Sequence, residues 1–385
     1  MGSVTLTSTE EIVIHRGLNG VYFDRTKTSF IDGKEGKLLY RGYDIHDLAE
    51  KSTFEEVAYL LFYGKLPTKA ELAVLDADLK ASRELPAEVL DVIRSVQGSH
   101  PMDVLRTAVS ALSAFDPEVA DNSIEATIRK GIRLTSQTAT IVMAHHAIRS
   151  GKTPVTPSKT LSHAANFLYM LTGEEPSEAT AKLMDVDFIL HAEHGPNASS
   201  FTARVIAGTQ ANLHACIVGA IGALSGPSHG GAAENVMQMA TEIGEPEGAA
   251  AYVKQLRADG KPVMGFGHRV YKVEDPRARH LRDRVKQLSQ EREEPKWYSI
   301  LEAVVEAMKP YSRLGIHVNV DFFAGVIYYL NGFPQDIFVP IFAVGRVPGW
   351  TVNVVEQFEN NILIRPLSQY TGEMDLRYVP LDERG

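Results

Sequence analysis

A single cysteine, Cys216, stands in 385 residues. One thiol excludes a disulfide framework and any cysteine-rich metal or iron–sulfur site within one chain. It also fits a reducing, cytoplasmic compartment. Long apolar runs are missing too: Ala215 to Leu224 is broken by glycines and falls short of the ~20 residues a membrane span needs. Met1 to Glu11 lacks a basic start and an apolar core, so no signal peptide is expected. Low-complexity sequence and long Gly/Ser linkers are absent. With 44% hydrophobic and 23% charged residues, disorder is excluded as well. What remains is material for about two globular domains at ~100–200 residues each.

The net charge of −9 argues against a general nucleic-acid binder, but it is unevenly spread. Between Lys254 and Lys286 ten Lys/Arg face four acids, so that window carries +6 and the remainder −15. A basic patch on an acidic chain suggests a specific anionic ligand. Arg279, Arg282, Arg284 and Lys286 read as a solvated helix face. The loop residues Lys261, Arg269, Lys272 and Arg277 read as ligand contacts.

Short strands and turns are expected first, at Gly20–Phe23, Thr28–Ile31 and Lys37–Tyr40. Helical periodicity then takes over. Thr53-x-x-Glu56 and Thr68-x-x-Glu71 have capping-box spacing, and Pro86 and Pro101 fall where a first helical turn tolerates proline. Helices are predicted over 124–150, 162–171, 177–190, 201–224, 232–243, 249–258, 277–292, 297–308, 322–330 and 337–358. The fold class is therefore mainly α with a short N-terminal β segment.

Three breaks interrupt this helical pattern. Ser225-Gly226-Pro227-Ser228-His229-Gly230-Gly231 and Val263-Met264-Gly265-Phe266-Gly267-His268 each bring a histidine to a glycine-rich turn. Gly315-Ile316-His317-Val318-Asn319-Val320-Asp321 ends on a carboxylate at a helix start. Two decoys lie among them. Gly226-Pro227-Ser228-His229-Gly230 matches a nucleophile elbow, which has meaning only on a strand–turn–helix of a parallel sheet; here a helix precedes it. Gly265-Phe266-Gly267 lacks the third glycine and the preceding strand of a dinucleotide fingerprint. Among thirteen histidines, His191-x-x-His194 and His145-His146 do not match H-E-x-x-H, so no metal is expected. His145, His146, His163 and His214 read as hydrogen-bonded core or surface residues.

The three breaks suit one chemistry. Asp321, set among apolar neighbours, has the surroundings that raise a carboxyl pKa and suit a general base. Histidines on tight turns can aim ring N–H groups at carbonyl oxygens. Arg277, Arg346 and Arg365 are candidate forks for carboxylates. Together they suggest carbon–carbon bond formation beside a dicarboxylate.

Gly265-Phe266-Gly267-His268-Arg269-Val270-Tyr271-Lys272-Val273-Glu274-Asp275-Pro276-Arg277 resembles the signature of the citrate synthase family. Gly226 to Ala232 resembles the family's first catalytic-histidine loop, Asn319 to Phe322 its catalytic aspartate, and Leu190 to His194 its oxaloacetate-binding helix end. Ile31-Asp32-Gly33, Leu39 to Tyr43 and Tyr370-Thr371-Gly372 are similar to the short prokaryotic branch. Gly195-Pro196-Asn197 departs from the family pattern, where many relatives carry an acid and no proline.

The resemblance implies an almost all-helical homodimer, with a large domain over 1–223 and 328–385 and a smaller one over 224–327. It implies Asp321 as the base, His229 at the thioester oxygen and His268 at the oxaloacetate carbonyl. His194, Arg277, Arg346 and Arg365 match oxaloacetate-binding positions, the last reaching the partner subunit's site. Pro262, Val263, Met264, Gly265 and Phe266 match the main-chain segment that holds coenzyme A, and Lys261, Arg269 and Lys272 flank its phosphates. No metal or redox cofactor is implied; coenzyme A enters as a substrate thioester. Three functions fit: a citrate synthase using acetyl-CoA and oxaloacetate, a 2-methylcitrate synthase using propionyl-CoA, and a non-catalytic acyl-CoA-binding dimer.

Overall fold

The computed structural model describes residues 12–18 and 20–385; Met1 to Glu11, read above for a signal peptide, lies outside them. Three short antiparallel strands open the fold: β1 (Ser29–Asp32), β2 (Lys37–Tyr40) and β3 (Tyr43–Asp44), in the order β1-β2-β3. Phe30 pairs with Leu39, and Tyr40 with Tyr43. The strand expected at Gly20–Phe23 does not form. Phe23 instead sets its ring edge-on against Phe201 at 5.0 Å, with the Arg204 guanidinium over its face.

Sixteen α-helices follow among the described residues. The first eight are α1 (Ile45–Lys51), α2 (Phe54–Tyr63), α3 (Lys69–Ala81), α4 (Ala87–Ser95), α5 (Pro101–Leu112), α6 (Ile124–Arg149), α7 (His163–Thr172) and α8 (Glu178–His191). The rest are α9 (Ala198–Gly208), α10 (Leu213–Leu224), α11 (Ala232–Ile243), α12 (Ala249–Ala258), α13 (Ala278–Glu291), α14 (Pro295–Met308), α15 (Asp321–Leu330) and α16 (Phe338–Glu359). Both capping boxes close as their spacing predicts, at Thr53/Glu56 and Thr68/Glu71. The helix expected over 201–224 is two helices. Gln210 takes φ +63°, and Asn212 caps α10 by accepting the Ala215 N–H at 3.0 Å. Arg282 is not merely solvated: its guanidinium forks onto Glu302 at 3.0 and 2.7 Å.

The core is organised around α16, which packs on α6, α8, α9 and α10. By length and composition α16 is apolar enough to cross a membrane, yet it is almost wholly buried inside the protein. Trp350 at its centre is fully buried, and truncating such a side chain to alanine typically costs ~3–5 kcal/mol. A second layer forms where α11 packs on α15, and α14 on α12 and α13. A Cβ on Gly325 of α15 would lie 2.4 Å from the Ala233 carbonyl of α11. Glycine there lets the two backbones meet and so sets where α15, with Asp321 at its start, can lie.

Candidate active site

The loop after α12 and the loop before α15 are stitched together by backbone bonds. Gly267 N–H donates to His317 O at 2.7 Å, Asn319 N–H to Gly265 O at 2.9 Å and Asp275 N–H to Val318 O at 3.0 Å. Gly265 takes φ +76°, and a Cβ there would lie 2.5 Å from the Phe322 ring. Two of the three sequence breaks thereby become one surface. Together with the His229 turn and the end of α8 they line a cavity of about 780 Å³. His194, His229, His268, Arg277, Asp321 and Arg346 all line it, six residues spread over 153 positions of sequence.

Hydrogen bonds orient the ring of each turn histidine. His229 Nε2 accepts the Ser199 N–H at 3.3 Å and lies 2.8 Å from Ser199 Oγ, which in turn accepts the Trp350 indole N–H at 3.0 Å. Ser199 shares both its N–H and its hydroxyl proton with Asn197 Oδ1, at 3.1 and 2.8 Å, and the tautomer of neutral His229 that accepts the Ser199 N–H carries its proton on Nδ1. In His268 the arrangement is reversed: Nδ1 accepts the N–H groups of Val270 at 3.0 Å and Tyr271 at 3.2 Å, leaving the proton on Nε2. Burial, helped by a nearby arginine in each case, pushes both imidazoles down to about 4. Both are thus neutral near pH 7, each with one N–H free of the protein bonds named here. That is what a donor to a carbonyl oxygen requires. His194, paired with the Tyr271 hydroxyl at 3.0 Å, is held well below its ordinary value by burial and by Arg277.

Asp321 begins α15, its own N–H bonded to Asn319 Oδ1 at 3.1 Å, while Asn319 Nδ2 holds Gly267 O at 3.0 Å. Burial raises its carboxyl pKa, with neighbouring His191 and Arg277 acting in the opposite direction. The apolar setting of 318–323 predicted that direction.

The two cavity arginines are held differently. Asp275 grips Arg277 through Nε at 2.9 Å and Nη2 at 2.7 Å. Burial alone would depress the guanidinium pKa, but Asp275 more than offsets it and the net shift is upward. Arg346 donates from Nε to the His191 carbonyl and lies over the Phe342 ring at 4.6 Å. Burial lowers it to about 10, with Glu193 opposing. No carboxylate of the described residues forks onto Arg346. A buried, charged guanidinium of that kind is a ready partner for a ligand carboxylate.

Other expected residues lie apart. Arg269 lines the cavity, whereas Lys261, Pro262, Val263, Met264, Gly265, Phe266 and Lys272 are not among its lining residues. Lys261 and Lys272 are exposed, and Val263 and Gly265 are buried. Arg365 is exposed on the segment after α16 and does not reach the cavity of its own chain. The departure at Gly195-Pro196-Asn197 is accommodated by φ +61° at Gly195 and by Asn197, which caps α9.

Sequence reasoning missed several participants. Ser199 and Trp350 orient His229, and Asp275 orients Arg277. Glu193, fully buried, accepts from Ser29 Oγ and Asn353 Nδ2, each at 3.0 Å. Burial drives it up to about 7 against the pull of Arg346. Leu18, Val21 and Phe23 close one side of the cavity. The usable signals were Asp275, inside the signature motif, and Glu193, inside the Leu190 to His194 stretch.

The mainly helical fold thus gathers one carboxyl, two neutral imidazoles and two buried arginines around a single cavity. The family description "Citrate synthase, C-terminal domain" matches residues 17–367. "Citrate synthase" of Deinococcus radiodurans is 44% identical, covering 96% of this chain and 99% of the relative. "2-methylcitrate synthase 1" of Corynebacterium glutamicum is 41% identical, covering 96% and 98%. A citrate synthase from Thermoplasma acidophilum, solved in ternary complex with carboxymethyl coenzyme A and oxaloacetate, superposes with a TM-score of 0.92 at 31% identity, covering 97% of this chain and all of that one. The chain belongs to the citrate synthase family.

Proposed function

We propose that the protein is a citrate synthase, a transferase condensing acetyl-CoA and oxaloacetate with water to give citrate and free CoA. The observation that carries this reading is the pair of neutral turn histidines, His229 and His268, lining one cavity with the Asp321 carboxyl. Asp321 takes a proton from the methyl carbon of the thioester while His229 Nδ1–H donates to the thioester oxygen as it becomes an enol. The enol carbon attacks the oxaloacetate keto carbon, and His268 Nε2–H donates to the oxygen that becomes the citryl hydroxyl. Water then cleaves citryl-CoA to citrate and CoA. Arg277, Arg346 and His194 hold the oxaloacetate carboxylates in place. Every donor and acceptor is a protein group, so no metal or redox cofactor is invoked.

The enzyme works as a cytoplasmic homodimer whose second subunit supplies Arg365. This reading is supported by the exposed apolar side chains of the segment after α16, including Ile362, Leu367, Tyr370 and Tyr378. A hinge between a small domain over 224–327 and the remainder opens the cavity to the thioester, and the main chain of 262–266 with Lys261, Arg269 and Lys272 receives coenzyme A.

A second reading, 2-methylcitrate synthase, is favoured by relatives of that name at 41% identity. One methylene is worth only ~1–3 kcal/mol in an apolar pocket. Measuring CoA release from acetyl-CoA and propionyl-CoA, with and without oxaloacetate, separates the possibilities. A kcat/KM at least tenfold higher for acetyl-CoA supports the first reading and the reverse order the second. Binding without oxaloacetate-dependent release would leave only an acyl-CoA-binding dimer.

A further inference from the structure

Behind Asp321 runs a buried chain of polar side chains that the steps above do not use. Asp187 and His191 stand one helical turn apart on α8, and both are essentially inaccessible to solvent. Tyr328 lies seven residues after Asp321 on α15, hence on the same face of that helix. Its hydroxyl donates to Asp187 Oδ2 at 2.7 Å. His191 Nδ1 lies 2.8 Å from the Asp187 carbonyl oxygen and 3.3 Å from its Oδ1. The carbonyl accepts the Nδ1 proton and pins the ring, while Asp187 Oδ1 is left without a hydrogen bond. The Phe342 ring, a cavity wall, packs edge-on against it at 4.8 Å.

His191 Nε2 is buried and has no hydrogen-bond partner. An orphaned polar atom in a closed interior costs ~1–3 kcal/mol unless a group outside the ordinary protein bonds satisfies it. The carboxyl at hand is Asp321, which lines the same cavity as the Phe342 ring packed on His191. We infer that His191, held through Nδ1 by Asp187, is a positioning residue whose Nε2 lone pair accepts from a bridging water, which donates in turn to the Asp321 carboxylate and keeps it ionised in its working orientation. The inference rests on the role proposed above for Asp321 as base.

The other charged groups around Asp321 are Asp187 on α8, Asp275 and Arg277 on the signature loop, Tyr328 on its own helix and Arg346 on α16. The arginines and acids stay in place when His191 is replaced, which isolates the effect of the ring. His191→Asn keeps an amide N–H for Asp187 but leaves nothing at the Nε2 edge. His191→Gln places its amide group, with an acceptor oxygen, near that edge. Tyr328→Phe conserves volume and removes only the bond to Asp187.

The test is a carboxyl-carbon NMR titration of Asp321 in the ligand-free protein, assigned by loss of the signal in Asp321→Asn, alongside kcat and oxaloacetate KM. In His191→Asn the Asp321 midpoint is expected to rise and the acid limb of kcat to move with it. With a charge-assisted contact removed, kcat should fall about tenfold or more while oxaloacetate KM stays within threefold. His191→Gln should recover most of both, and Tyr328→Phe should shift both in the Asn direction by less. An unmoved midpoint in His191→Asn and Tyr328→Phe, with normal oxaloacetate binding, overturns the inference. So does an effect confined to KM, which would assign His191 to Arg346 through its carbonyl. If the wild type condenses neither thioester, the functional reading fails while the titration still decides whether His191 governs Asp321.

Discussion

Lys272 donates its backbone N–H to the carbonyl of Gly33 at 2.7 Å, joining the turn between β1 and β2 to the loop that carries His268. A Cβ on Gly33 would meet the Val270 carbonyl oxygen at 2.2 Å, and the φ of Gly33 is not left-handed. The constraint is therefore steric alone. Gly33→Ala should push the 268–272 loop away and cost ~1–3 kcal/mol, as overpacking does. The loss should appear as a lower urea midpoint together with reduced kcat, because Val270 N–H is one of the two donors that set the His268 tautomer. A variant with wild-type stability and turnover would show that this clasp is slack.

The grip of Asp275 on Arg277 leads to a second expectation. Asp275→Asn keeps the size of the side chain but can accept at only one oxygen, so the fork is lost. Charge-assisted bonds of this kind are worth ~1.5–3 kcal/mol. The dissociation constant for oxaloacetate, measured by calorimetry, should therefore rise roughly 10- to 100-fold. Binding within twofold of wild type would mean that Arg277 is positioned without Asp275.

Buried histidines should make the protein acid-sensitive. His163 is held down to about 3 and His214 to about 4 by burial, and His194 lies well below its ordinary value. Their folded pKa values are depressed, so below about pH 6.5 the unfolded chain takes up protons that the folded protein refuses. Stability is then lost as pH falls. Glu193, raised to about 7 by burial, works in the opposite sense, as does Glu55. His229, His268 and His280, each held down to about 4, act in the same sense, so with six histidines against these acids the unfolding free energy should drop by roughly 3–5 kcal/mol between pH 6.5 and 5.5. Urea titrations at the two pH values measure it. Equal or greater stability at pH 5.5 would contradict the buried, neutral assignment.

Much of the fold was legible because local rules and tertiary packing agree. Thr53, Thr68 and Pro101 mark helix starts that the structure keeps, and the 249–258 helix falls where its period placed it. The break at Gln210 was missed because apolar residues keep helical spacing across it. Asn212, a good cap, was its available sign. The site was legible where chemistry coincides with glycine-rich turns, at His229, His268 and Asp321. Ser199, Trp350 and Asp187 were not, because each lies within or beside a helix and gains its role from a partner far along the chain. The Trp350 indole reaches Ser199 across 151 positions, a pairing that no local pattern encodes.

Arg365 lies outside the cavity of its own chain, and the proposed dimer gives it a place. An Arg365→Ala chain and an Asp321→Ala chain, both inactive alone, are mixed and allowed to exchange subunits. In a mixed dimer one site carries both lesions and the other neither, so activity should reappear. If Arg365 served its own subunit, every site would be damaged. No recovery, with exchange confirmed by mass measurement, would rule out the shared site.

The general base is the centre of the proposed mechanism, and Asp321→Ala addresses it directly. Removing a general base typically costs ~100- to 10,000-fold. Turnover with acetyl-CoA and oxaloacetate should fall by that much, while calorimetric oxaloacetate affinity, carried by Arg277, Arg346 and His194, stays within about threefold of wild type. Turnover within threefold of wild type, with the cavity intact, would contradict the role given to Asp321.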